Sequence, residues 1–391
     1  MASNTTSYVY GIDRHTLCLT ALHHPSHNRF ALATLGITEP AELHLVDFDS
    51  YDNVLSSHVY KHTCGIRSLS NVSWDPNLLL ATDSNGGSAP AQLLKIPDKG
   101  DTMETIAVLP QASETMAHTV VAHPSTYCKD AAVVPLPASA TGVAIYDLGQ
   151  SSGPVIRCSI GGTGARTLHH MEDIEAVAFH PSAATLLSTT DGTCLRSWDT
   201  RSDPQRATLT MSIECAHSAR IRTLDYNPNL PYIVATAADD GYVRIWDTRA
   251  PSAPLLEIAN HSHWVYSVAF NPNHDQLLLS AGADGLVNLE SVVSVSSAQV
   301  VATHHQAEED TRQEDASDAS SVDGGDSECG ASDIGSGQAT DGLVAQFDDH
   351  ETSVYTARWS HADPWIFASL SFDGRMVINS VPREEKYKIL L

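Results

Sequence analysis

The 391 residues contain no run that approaches 18 consecutive apolar residues, and the N-terminal MASNTTSYVYGIDRH lacks a basic region followed by an apolar one. Neither a membrane-spanning helix nor secretion is expected. Positive charge is scarce: Lys and Arg number 22 against 47 Asp and Glu, a formal net charge of −25. That balance argues against nucleic acid and against an unaided hold on anionic lipid, because both reward clustered cations. Cysteines number only seven, an odd count, scattered and without a CxxC pair. They read as reduced thiols of a cytosolic protein, mostly small core residues.

Motifs that carry catalysis are also missing. There is no GxSxG and no HExxH, and the glycine-rich IGGTGAR (160–166) lacks the GxxxxGK[ST] spacing of a phosphate loop. The histidine groups HHPSH (23–27), NHSH (260–263) and HH (304–305) have no cysteine or acid beside them at a zinc spacing. No catalytic residue, metal, cofactor or small-molecule substrate is therefore expected.

What the chain does have is self-similarity. DGTCLRSWDTR (191–201) returns as DGYVRIWDTR (240–249), and Asp284-Gly285 and Asp373-Gly374 open the degenerate copies LVNLES and RMVINS. Three of the copies follow a strand-like stretch ending at an Asn-Pro or His-Pro turn, AVAFHP, TLDYNP and SVAFNP, the fourth follows VYTARWS (354–360) with a different turn, and each then has a small-residue stretch such as IVATAA. A histidine opens each unit: His169 or His170, His217, His261 or His263, and His350. Period-2 alternation with turns every 8 to 12 residues predicts antiparallel sheet.

A period in the mid-forties with His, Asp-Gly and Trp-Asp at these places resembles the WD40 repeat. The resemblance implies an all-β, seven-bladed propeller over residues 8–391, with units beginning near residues 8, 55, 105, 158, 209, 255 and 344. It also implies a hydrogen-bonded structural tetrad of His217, Thr236, Asp240 and Trp246. In the N-terminal half, Val46-Asp47 and Tyr146-Asp147 stand in the Trp-Asp place, and VSWDPNLLLATDSN (72–85) reads as two inner strands. Whether YVYGI (8–12) or KYKILL (386–391) closes the ring stays open.

NHSHWVYSVAFNPNHDQLLLS (260–280), HADPWIFASLSFDGRMVINSVP (361–382), HLVDFD (44–49) and the ending KYKILL resemble the EARP and GARP complex-interacting WD40 family. This implies a cytoplasmic adaptor that binds protein subunits of an endosomal or Golgi tethering complex and associates peripherally with recycling endosomes and the trans-Golgi network. Partner contacts are expected on the face that carries the Asp-Gly turns, at Tyr242, His263, Trp264 and Arg375. A competing reading takes the WDxR motifs as docking points for the adaptor of a cullin-RING ubiquitin ligase, through Arg201 and Arg249. A free-standing scaffold is a third.

Between Glu308 and Asp333 ten acidic residues face the single Arg312, among serines and glycines. Residues 303–341 are expected to be a disordered acidic insertion within the sixth blade, with Ser320 and Ser327 in contexts that suit an acidophilic kinase.

Overall fold

In the computed structural model the described residues are 7–24, 26–36, 40–63, 65–83, 91–97, 99–110, 116–136, 142–150, 153–160, 174–201, 207–299 and 340–391. Seven antiparallel sheets of four strands account for all the named strands. The inner strands are Thr16–Leu22, Ile66–Asn71, Met116–Ala122, Val177–Phe179, Ile221–Tyr226, Val265–Phe270 and Val354–Trp359. Side by side they line a central channel. This is a seven-bladed β-propeller.

The core is divided among the seams between blades. Val243 and Ile245 of the fifth blade pack with Val265, Val268 and Phe270 of the sixth, and Trp246 packs back on Leu195 and Ile213 of the fourth. Each second strand is therefore covered on both faces, which is why Ile233–Ala238 is buried at every residue and reads as an unbroken apolar and small run.

On the channel wall, side chains stitch several inner strands to the next. Ser70 Oγ accepts the Ala122 N–H at 3.0 Å, Asp225 Oδ2 the Phe270 N–H at 2.9 Å, and Ser267 Oγ the Ala357 N–H at 3.2 Å. Thr356 Oγ1 carries the stitching across the closure by donating to the Leu17 carbonyl at 3.2 Å. Backbone groups on a wet channel wall are thereby satisfied without continuous sheet.

The recurring Asn-Pro and His-Pro turns have one chemical basis. Asn227 Oδ1 accepts the N–H groups of Asn229 and Leu230 at 2.9 and 2.8 Å. His180 Nδ1 does the same for Ser182 and Ala183, and His24 Nδ1 for Ser26 and His27. Histidine here is a stand-in for asparagine as a local turn acceptor, which accounts for much of the HHPSH run.

The ring is closed by the N-terminus. Tyr8–Gly11 pairs antiparallel with Arg375–Ser380, Tyr8 opposite Ile378 and Gly11 opposite Arg375. KYKILL instead lies in a helix, Arg383–Leu390, whose Ile389 packs on the seam of the sixth and seventh blades. Each sequence unit accordingly begins with the outer strand of the blade before it: residues near 55, 105 and 255 fall in or beside Val54–His62, Glu104–Val108 and Leu256–Ile258. The stretch 72–85 holds one inner-blade strand, Leu78–Asp83; its partner Ile66–Asn71 lies ahead of it. In the sixth blade Val287–Ser291 pairs with Gly342–Phe347. Of the expected insertion at 303–341 only the last two residues are among those described.

Candidate partner-binding face

Geometry at the Asp-Gly turns starts from the fifth blade. His217 Nδ1 stands 3.1 Å from both carboxylate oxygens of Asp240, and its Nε2 is 2.8 Å from Thr236 Oγ1. Trp246 Nε1–H donates to the same hydroxyl at 3.0 Å. An anionic acceptor at Nδ1 places the ring hydrogen there, leaving Nε2 to accept from Thr236. Burial works to raise the Asp240 pKa, but the His217 contact and the N–H groups of Tyr242 and Ser218 outweigh it and hold it at about 2.

The arrangement recurs with losses. In the sixth blade His261, not His263, bonds Asp284 at 3.0 Å and Ser280 at 2.9 Å, and buried Glu290 occupies the Trp place. In the seventh, His350 Nε2 reaches Ser369 at 2.7 Å, while its Nδ1 has no partner among the described residues. In the fourth, Trp198 Nε1–H donates to Thr189 at 2.9 Å but Asp191 pairs with Arg196. His169 and His170 lie outside the described residues.

These networks hold the turns against the loop of the following blade. A Cβ on Gly241 (φ +83°) would lie 3.3 Å from the His261 carbonyl oxygen and 3.5 Å from that of His263. The turn thus brings Tyr242 beside the His263–Trp264 loop. Tyr242 is half-buried under the Arg244 guanidinium, 5.3 Å from its ring centroid. His263 is exposed, its Nδ1 accepting the Trp264 N–H at 2.9 Å. Trp264 is 42% exposed, with Arg222 5.6 Å from its ring. Arg375 lies one blade on, where it donates to Glu351 at 3.2 Å and to the Asp349 carbonyl.

From Trp264 a row of rings runs along the channel mouth. Tyr266 is 6.4 Å away edge-on, Tyr355 stacks on Tyr266 at 4.5 Å, Phe372 follows at 5.8 Å and His15 stacks on it at 4.5 Å. Next to the Trp264 end of this row, Glu175 takes Arg220 at 2.7 Å and Arg222 at 4.0 Å, and Arg222 is bidentate on Asp239 at 2.8 Å. His118 nearby has its pKa lowered to about 4, by burial first and then by the positive charge of Arg67, Arg220 and Arg222. None of these residues stood out in the repeat pattern. Their signal was a charge or aromatic on the channel-facing side of otherwise apolar inner strands, as in IRTLDY and VYTARWS.

Arg201 and Arg249 sit at the other end of their strands and are exposed at 68 and 62%. Each guanidinium is bidentate on the aspartate two residues earlier, Asp199 and Asp247, and Arg249 also lies 3.4 Å above the Tyr232 ring. Among the described residues, no group of three or more His, Cys, Asp and Glu could hold a metal ion. Ser320 and Ser327 lie outside the described residues.

Comparison with known proteins adds to this geometry. The profile of the EIPR1 beta-propeller family matches residues 4–289, and that of the WD domain, G-beta repeat, matches residues 342–378. The chain is similar to EARP and GARP complex-interacting protein 1 of Macaca fascicularis, 33% identical over 387 residues and 93% of each chain. The Homo sapiens protein of that name is 32% identical over 385 residues, again 93% of each. EARP-interacting protein 1 of Caenorhabditis elegans is 31% identical over 392 residues and 98% of each.

Proposed function

Because the chain belongs to the EIPR1 β-propeller family, we propose that it is a non-catalytic adaptor that binds protein subunits of EARP- and GARP-type vesicle-tethering complexes. It supports their recruitment in endosomal recycling and endosome-to-Golgi retrograde transport, acting in the cytoplasm at the surface of endosomes and the trans-Golgi network. The names of relatives that match over nearly the whole chain carry this reading. No helix of the described residues is long and apolar enough to cross a membrane, so the proposal gives the chain a peripheral role through protein contacts.

The contact face is the one that bears Tyr242, His263, Trp264 and Arg375. An indole 42% exposed at the end of a row of rings is the kind of anchor that supplies a large share of binding energy once covered. The ligase reading has less behind it, since Arg201 and Arg249 already spend their forks on Asp199 and Asp247. The test is capture of tether subunits from cell extract by the immobilised chain. Trp264→Ala combined with Arg375→Glu is expected to lower capture at least tenfold, about 1.4 kcal/mol or more, with the circular dichroism spectrum and melting unchanged. Undiminished capture would place the contact elsewhere, and recovery of a ligase adaptor dependent on Arg249 would favour the alternative.

A further inference from the structure

The upper half of the central channel is an open cavity of about 290 Å³, and a lower cavity of about 370 Å³ shares Ser68, Thr119, Leu224 and Arg358 with it. The two form one passage with Arg358 where they meet. Its chemistry departs from the rest of the molecule. The chain carries a net charge of −25, yet Arg67, Arg222 and Arg358 all line the upper cavity and Arg220 stands beside it on Glu175.

The carboxylates present leave part of this charge uncompensated. Glu175 is shared by Arg220 and Arg222, with His118 Nε2 3.6 Å away, and Asp239 is held by Arg222. Arg358 donates only to Ser267 Oγ and the Ala357 carbonyl, at 3.1 and 3.0 Å. Asp225, the acid near Arg358, offsets part of its charge but makes no ion pair with it within 4 Å, and spends Oδ2 on the Phe270 N–H. Arg67 has no acidic partner within 4 Å among the described residues. Most of the other described arginines sit on a carboxylate, as Arg29 does on Asp47, Arg157 on Asp130 and Arg244 on Glu257. A guanidinium left without one in a confined passage is stabilised when an anion arrives.

We propose that the channel mouth receives an acidic peptide segment of the bound partner, with a carboxylate side chain entering the passage between Arg67 and Arg358 and the adjoining backbone lying on the Trp264–Tyr266–Tyr355 row. This rests on the adaptor reading and gives that face its partner chemistry. The aromatic row favours a peptide over a free small anion, because it offers apolar surface outside the cavity that a small anion could not cover. The surrounding acidity sharpens the selection. At physiological ionic strength charges more than about 8 Å away are largely screened, so an acidic segment is attracted only where the cations are in reach.

The test uses the purified full chain and a fluorescein-labelled hexaglutamate peptide, followed by fluorescence anisotropy, with hexaglutamine as its uncharged counterpart. Expected results are saturable binding of hexaglutamate and none of hexaglutamine, at least tenfold weaker binding by Arg67→Gln, and unchanged binding by Arg201→Gln on the opposite face. Circular dichroism establishes that both variants fold. Lack of hexaglutamate binding, equal binding by Arg67→Gln, or displacement by an equimolar concentration of inorganic phosphate would overturn the proposal, the last by making the cavity a small-anion pocket. Capture of tether subunits through Trp264 without Arg67-dependent peptide binding would sink this inference and spare the adaptor reading. Arg67-dependent peptide binding without tether capture would do the reverse.

Discussion

Trp246 fills the seam between the fourth and fifth blades and closes a chain of hydrogen bonds from Asp240 through His217 and Thr236. Trp246→Ala removes that volume and leaves Thr236 and His217 in a cavity, so a loss of about 3–5 kcal/mol is expected in denaturant unfolding. Trp246→Phe, which keeps most of the volume and loses only the N–H, should cost about 1–2 kcal/mol; equal losses would mean that packing contributes nothing there. Glu290 occupies the corresponding place in the sixth blade with the opposite consequence. It is buried, reached only by Asn260 at 3.3 Å and Ser280 at 3.4 Å, with Oε2 unpartnered among the described residues. Burial pushes its pKa from 4.5 to about 7. The folded state then holds a proton that the unfolded chain releases near pH 4.5, so stability falls as pH rises between these values and the loss is complete above 7. Glu290→Gln should melt like the parent near pH 4.5 and be more stable at pH 8, by an amount on the order of 2–3 kcal/mol. A difference independent of pH would refute a protonated Glu290. The intact Trp-Asp place was legible in the sequence because its residue types are distinctive. Glu290 was visible as a departure, but its burial depends on a seam that only two packed blades create.

At the scale of strands and turns, the Asp-Gly steps carry unequal loads. Gly241 and Gly374 both adopt positive φ, +83° and +87°, where any other residue pays about 1–2 kcal/mol. A Cβ at Gly241 would meet its nearest atom at 3.3 Å, but one at Gly374 would lie 2.3 Å from the Ile12 carbonyl oxygen and 2.4 Å from that of Arg14. Those backbone atoms belong to the segment that leaves the closing strand. Gly374→Ala should therefore cost several times what Gly241→Ala costs in thermal melts, and it should expose the N-terminal segment to limited proteolysis. The reverse order would mean that ring closure does not press on this turn. Strands with period-2 patterns and Asn-Pro or His-Pro turns were readable locally, because each is decided by its own few residues. Closure was not, since Tyr8–Gly11 meets Arg375–Ser380 from the far end of the chain. The helix Arg383–Leu390 has a start-and-stop pattern in Pro382, Glu384, Glu385 and Lys388, but that pattern alone does not decide it. Eight residues are marginal as a helix alone; docking of Ile389 on the blade seam and of Lys386 over the Trp365 ring at 5.1 Å supplies what propensity does not.

Across the whole molecule, a circular order of blades gives two distinct faces, and the sequence order of strands assigns every loop to one of them. Blade number and the face of each Asp-Gly turn followed from the repeat. The channel did not, because Arg67, Glu175, Arg222, Tyr266, Tyr355 and Arg358 come from five different inner strands or their approaches and meet only when the ring is closed. The same geometry governs the acidic segment. In the sixth blade Ser291 pairs with Gly342 and Val287 with Phe347, and Asp284-Gly285 lies at the Val287 end. Chain leaving Ser291 and returning at Gly342 therefore departs from the face opposite Trp264. The first residues after Ser291 are held: Val292 and Val295 are buried in the seam of the fifth and sixth blades, and Ser297 bonds Asp275 at 2.6 and 2.8 Å. The chain also returns beside the residues it left, the Ser294 N–H donating to Asp341 Oδ1 at 2.9 Å, so a short connection can rejoin them. Replacing residues 306–340 with an eight-residue Gly-Ser linker should preserve the fold and, through a smaller loop-closure cost, add about 1 kcal/mol of stability. Tether capture and hexaglutamate binding on the other face should stay within a few-fold of the parent, as should the effect of Ser320→Glu with Ser327→Glu. Loss of the folded state would show that the replaced segment contributes a packed element to the sixth blade. Weakened binding in a folded variant would show that the segment reaches the channel face.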